Sequence, residues 1–258
     1  MDDRDFISQG IVEAIGAFTL VFLGAGAIIM TEGDNLVAIA LAHGLAIAVM
    51  IAAAGHISGG LFNPALTIGL LVTGRLSGQR AGVYLVAQFG GAVIAALALK
   101  MIFKPSMIDP VELGTPTVGA NIEVLAAFLA EMILTFFLMY VVYGAAVDKK
   151  GANIIAPLLI GLTITGGIFA MASVSGAAMN PARWFGPALV QGYFVEGWIY
   201  ITAPFVGAVL AALLYSYLLL EATPALDARR TQPSQQDDVA LHAGGERDRT
   251  AARRRRRR

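Results

Sequence analysis

The chain reads as an all-α membrane protein: six transmembrane helices and two re-entrant half-helices, built as an inverted repeat of three spans each. Three observations predict this fold. Long stretches of apolar sequence carry almost no charge, two further apolar pieces are too short to span, and one segment of the chain is repeated. Of 258 residues, 57% are hydrophobic and 14% charged, against about 25% charged in a soluble domain. Such a composition points to a bilayer as the surrounding solvent.

A spanning helix needs about 20 apolar residues. Six stretches meet this, at roughly 7–29, 36–55, 82–103, 122–147, 154–173 and 197–220. The two short pieces lie at about 63–73 and 180–190. Each is on the order of 10 residues, or ~15 Å of helix, half of the ~30 Å hydrocarbon core. Short segments flanked by Gly and Pro in matching positions of two halves point to a re-entrant site.

The repeat is visible in the residues. Tyr84–Leu97 reads YLVAQFGGAVIAAL and Tyr200–Leu213 reads YITAPFVGAVLAAL, identical at nine of fourteen positions. Glu13 precedes Asn63 by 50 residues and Glu131 precedes Asn180 by 49. Gly44-Leu45 stands before the first short piece as Gly161-Leu162 stands before the second. Each copy holds an odd number of spans, so the second inserts upside down. The expected division is a channel domain over 1–220, with repeats at about 7–103 and 122–220. A disordered, Arg-rich cytoplasmic tail is expected over 221–258. The small residues Gly90, Gly91, Ala92, Gly207 and Ala208 suit close helix crossings.

The net charge of zero hides an asymmetry. Residues 1–220 hold eight Lys/Arg and twelve Asp/Glu, whereas 221–258 hold ten Arg and six acids and end in six arginines. Such a run is a solvated tail rather than a packed element. With six spans, Arg4, Arg75, Arg80, Lys149, Lys150 and the tail arginines fall on one side. Glu32, Asp34, Asp109, Glu112 and Glu196 fall on the other, with Lys100 and Lys104 as exceptions. The positive-inside rule then places both termini in the cytoplasm. No cleavable signal is evident, and the short loops suit a prokaryotic inner membrane. There is no cysteine, which excludes disulfides and thiolate metal sites. The histidines, His43, His56 and His242, form no ligand set, so no metal or cofactor is expected. No nucleic-acid partner is expected, and no nucleophile–base pair or phosphate loop suggests an enzyme.

The short pieces open SGGLFNPALTIG (58–69) and SGAAMNPARWFG (175–186). Asn is a favoured N-cap, and Pro at the next position gives up an N–H that would be unpaired anyway. Asn63, Pro64, Ala65 and Asn180, Pro181, Ala182 therefore read as helix starts. Inversion brings the two starts together near the bilayer midplane, where two positive dipole ends face one spot. A cation is repelled there, and a neutral dipole is reoriented by the Asn amides.

The duplicated motif, the six-plus-two topology, the paired glutamates and the GHISGG lead-in resemble the aquaporins and glycerol facilitators, the major intrinsic proteins, over about residues 7–220. The resemblance implies a homotetramer in the bilayer with one pore per subunit, passing water and small neutral solutes. It implies a selectivity filter of His43, Ile168, Ala177 and Arg183. This set departs from strict water channels, which carry Phe and His where His43 and Ile168 stand, and is similar to some plant vacuolar aquaporins. The glycerol-facilitator pattern is incomplete at Trp184 and Ala188, while Ile201 leans towards it. The carbonyls of Gly60, Leu61, Phe62, Gly176, Ala177 and Ala178 are expected to form a water ladder. Glu13 and Glu131, with His56, are expected to brace the re-entrant loops. The alternatives are a polyol facilitator with low water permeability and a proton-coupled transporter that uses Glu13 or Glu131.

Overall fold

A computed structural model describes residues 3–220. The Arg-rich segment 221–258 expected to be a tail lies outside the described residues. The compact unit ends at Ser216, and Tyr217–Leu220 complete a π turn that begins at Leu214.

The helices in chain order are α1 (Asp3–Met30), α2 (Leu36–Ser58), α3 (Pro64–Val72), α4 (Gly78–Ile102), α5 (Pro105–Ile108), α6 (Val124–Val142), α7 (Ala156–Ser175), α8 (Pro181–Gln191) and α9 (Gly197–Leu213). Among the described residues, six helical stretches are long and apolar enough to cross a membrane: Phe6–Met30, Leu36–Ser58, Gly78–Ile102, Val124–Val147, Asn153–Ser175 and Gly197–Leu220. Helices α3 and α8, with 9 and 11 residues, are not. Large apolar side chains such as Val49, Val86 and Leu125 are exposed on the outside of the bundle, as a lipid-facing surface requires.

Packing follows the repeat. In the first copy α1 packs against α4 and α2, and in the second α6 packs against α9 and α7. The half-helices cross over: α3 packs on α9 of the other copy, and α8 on α4. The α1–α4 crossing is close because Gly91 has no side chain; a Cβ there would fall within 3.0 Å of the Ala14 carbonyl. The equivalent Gly207 meets the Met132 carbonyl in the same way. Helices α2 and α7 cross at Gly44 and Gly161, each against the other's carbonyl. These contacts replace hydrophobic driving force, which is weak between helices in lipid. Gly90 is not part of the crossing expected of it, since a Cβ there would meet nothing within 4 Å.

Lys100, an exception in the charge distribution, has a local reason. Its ammonium donates to the Val190 carbonyl at 2.8 Å, in the last turn of α8, where the helix dipole is negative. At the far end of α3, the Thr73 hydroxyl bonds to that of Tyr143, and the Arg75 guanidinium lies 5.4 Å over the Tyr143 ring.

Candidate permeation pathway

Both half-helices begin as their sequences require. Asn63 has extended backbone, and its Oδ1 accepts from the Ala65 N–H at 2.9 Å. Asn180 Oδ1 accepts from the N–H groups of Ala182 at 2.9 Å and Arg183 at 3.3 Å. Pro64 and Pro181 follow at the first helical position.

Each Asn also reaches the other motif. Asn63 Nδ2 donates to the Met179 carbonyl at 2.8 Å, and Asn180 Nδ2 donates to the Phe62 carbonyl at 2.9 Å. The two helix starts are thus stapled to one another by reciprocal bonds. Each carboxamide keeps one N–H beyond these bonds, and both asparagines line the same narrow channel.

The loops before the motifs carry matching backbone conformations. Gly59, Gly60 and Phe62 are left-handed, with φ of 97°, 66° and 51°, and so are Gly176, Ala177 and Met179, with φ of 77°, 47° and 52°. Phe62, Ala177 and Met179 hold this region without being glycine, which costs on the order of 1–3 kcal/mol each. Two buried carboxylates hold Phe62 and Met179 there, and Ser175 Oγ accepts from the Ala177 N–H at 3.2 Å. Glu13 accepts from Ser58 Oγ (2.6 Å), Leu61 N (3.0 Å), Phe62 N (2.6 Å) and Gln88 Nε2 (2.8 Å). Glu131 accepts from Ser175 Oγ (2.7 Å), Ala178 N (2.8 Å) and Met179 N (2.7 Å). The extra donor in the first copy is Gln88, itself bonded to Thr67. In the second copy Pro204 and Trp184 occupy the matching positions.

The serines, Gln88 and Met179 were missed in the sequence. Ser58 and Ser175 both stand five residues before a motif Asn, and that register could have flagged them. His56, expected to support the first loop, is exposed and makes no hydrogen bond among the described residues. It sits in the last turn of α2, and Ser58 and Gln88 fill the supporting role at that loop.

The channel is lined by residues at matching positions of α2 and α7: His43, Ile47 and Ile51 from one, Ile160, Ile164 and Ile168 from the other. Gly59, Gly60, Leu61, Ala177 and Ala178 supply backbone, and their carbonyls accept no hydrogen bond from the described residues. Two of the expected ladder residues differ. Phe62 is fully buried and its carbonyl is taken by Asn180. Gly176 borders a vestibule at the end of the channel rather than the channel itself. The nominated sets were one residue out of register, because the true mate of Phe62 is Met179.

His43, Ile168 and Arg183 line both the channel and the vestibule, so they stand where the two meet, with Ala177 on the channel side. The channel is a cavity of about 50 Å³. Arg183 is 2% exposed and has neutral acceptors: Nε donates to His43 Nε2 at 3.1 Å, and Nη1 to the Gly114 carbonyl at 2.8 Å. His43 Nδ1 bonds the Ile39 carbonyl at 2.8 Å. That pattern requires the neutral tautomer with its proton on Nδ1.

The Gly114 carbonyl is aimed by a left-handed run at Glu112, Leu113 and Gly114, with φ of 46°, 54° and 72°. Leu113 anchors the run in the core beside Ile108, and Thr115 Oγ1 donates to the Glu112 carbonyl at 2.6 Å. Trp184, unexplained in the sequence, is a packing residue. It stacks on Tyr200 at 5.8 Å and meets Phe194 edge-on at 6.0 Å.

Residues 1–215 match the major intrinsic protein family. The chain belongs to that family. Its members are membrane channels, and this chain is one. Among curated relatives, Aquaporin TIP4-4 of Zea mays is 40% identical over 84% of this chain and 89% of its own length. Probable aquaporin TIP3-2 of Arabidopsis thaliana is 41% identical over 84% and 85%. Nodulin-26 of Glycine max is 38% identical over 82% and 78%. The X-ray structure of the aquaglyceroporin from Plasmodium falciparum superposes with a TM-score of 0.76 and 25% identity, over 86% of this chain and 99% of that one. The curated relatives named here are plant proteins and lend no support to the prokaryotic source expected from the short loops.

Proposed function

We propose that this chain is a passive channel for water and for small neutral solutes such as ammonia and glycerol, and that it excludes protons and ions. One observation carries this reading: the reciprocal Asn63–Met179 and Asn180–Phe62 bonds, which bring two positive helix ends to one stretch of channel. A neutral dipole crossing there meets Asn N–H donors in the middle and backbone carbonyls on either side. A cation meets both dipoles and, at the mouth, the guanidinium of Arg183. Chains of protonated water are opposed by the same field.

His43 and Arg183 make one side of the constriction polar, while Ile168 and Ala177 leave the other apolar. That combination suits amphipathic solutes as well as water. The names of the similar proteins, aquaporins and an aquaglyceroporin, fit the same breadth. The likeness to an aquaglyceroporin favours, as a second reading, a polyol facilitator with low water permeability. Glu13 and Glu131 spend their acceptor capacity on loop N–H and O–H groups, which supports bracing over proton coupling. The reading includes a homotetramer, both termini in the cytoplasm, a channel domain over about 1–220 and a separate Arg-rich tail over 221–258.

Stopped-flow light scattering on proteoliposomes tests it. Water, ammonia and glycerol permeabilities are measured side by side, with and without residues 222–258. Permeability above empty liposomes, driven by an osmotic or solute gradient alone, is the expected result. Flux that needs a proton gradient, or none above background, would sink the proposal.

A further inference from the structure

The imidazole of His43 lies in a notch on α1. The notch exists because residue 24 is glycine: a Cβ there would fall within 3.0 Å of His43 Nε2, Cδ2 and Cε1. These are the far atoms of the ring, and Nε2 is the atom that accepts from Arg183. Gly24 itself lines neither the channel nor the vestibule.

The repeat supplies a comparison within the molecule. Counting from the paired glutamates, Gly24 corresponds to Val142, and counting from the motif asparagines, His43 corresponds to Ile160. Val142 and Ile160 both line the channel at the other end. The second copy thus keeps a side chain at each position, and the first has given one up. A methyl group at 24 overlaps the far atoms of the ring and pushes it away from α1, and the channel that His43 lines is open space for it to enter. That movement narrows the constriction and takes away the acceptor of Arg183 Nε.

From this geometry we infer that Gly24 is a positioning residue for the selectivity filter: it sets the free width of the constriction by deciding how far His43 recedes from it. The inference rests on the channel function proposed above and deepens it.

The test is a permeability cycle in proteoliposomes, with water and glycerol as probes. The variants are Gly24→Ala, His43→Ala and the double variant. Gly26→Ala serves as the control, since its Cβ would meet only Leu99, at 3.4 Å. Gly24→Ala is expected to lower glycerol permeability about tenfold, equivalent to about 1.4 kcal/mol of barrier, and water less. In the His43→Ala background, alanine at 24 is expected to change neither permeability. Gly26→Ala is expected to match the wild type. Wild-type permeabilities in Gly24→Ala, or an equal loss with and without His43, would overturn the inference. Should Gly24→Ala fail to insert, recovery of insertion and conductance in the double variant supports the steric link, and failure of both overturns it. If the wild type conducts no better than empty liposomes, the channel reading falls; if it conducts and the cycle is additive, only the role of Gly24 falls.

Discussion

The Nε–H of Arg183 donates to Nε2 of His43 across 3.1 Å. The two residues are 140 positions apart and come from opposite repeats, so the polar lining where channel and vestibule meet is a joint product of both copies. The imidazole is a neutral prop for the guanidinium: one ring nitrogen is tied to Ile39 and the other to Arg183.

Replacing His43 by Phe removes that acceptor while keeping an aromatic ring. The ratio of glycerol to water permeability is expected to change about fivefold, the effect of roughly 1 kcal/mol on a barrier. Thermal stability in detergent should stay near that of the wild type. An unchanged ratio would overturn the filter role proposed for His43.

Glu13→Gln and Glu131→Gln each put an amide where backbone N–H groups need an acceptor. Leaving such a donor unpaired costs about 1–3 kcal/mol. Melting temperature and water permeability should therefore fall together. A variant that stayed fully stable but lost proton-driven uptake would favour the transporter reading instead.

Gly91→Ala drives a methyl into the Ala14 carbonyl, which is backbone and cannot swing aside. A loss of about 1–3 kcal/mol is expected, the usual cost of overpacking, read as a lower melting temperature. Gly90→Ala faces open space and should melt like the wild type. Equal behaviour of the pair would refute the α1–α4 crossing.

With no cysteine in the chain, mercurials have no thiol to bind in the pore. Water permeability should be insensitive to them. Ile168→Cys, at the junction of channel and vestibule, should make it sensitive and reversible by thiol. Potent reversible block of the wild type would contradict the assigned lining.

Much of the fold was legible because a bilayer makes length and charge decisive. The spans read from apolar runs agree with the helices to within a few residues, and Asn63-Pro64 and Asn180-Pro181 mark the half-helix starts. Spacing along the chain also exposed Glu13 and Glu131. What stayed hidden depends on partners far away in sequence. Gln88 reaches Glu13 across 75 residues, and the Gly114 carbonyl reaches Arg183 across 69. Neither residue type announces such a contact. Phe62 was misread as a ladder residue because its carbonyl is taken by an Asn from the other copy. His56 was misread because a polar residue beside a re-entrant loop looks useful whichever way it faces. Trp184 made sense only once Tyr200 was seen beneath it.

The reciprocal Asn bonds have a consequence for biogenesis. Asn63 and its acceptor Met179 are separated by 116 residues. At a synthesis rate of about 5–20 residues per second, the first half-helix waits roughly 6–23 s for the carbonyl that secures it. During that interval the nascent first half holds a re-entrant segment with an unanswered amide inside the membrane. The first copy made alone should therefore fail to seat its half-helix, and two separately expressed halves should become competent only by finding one another.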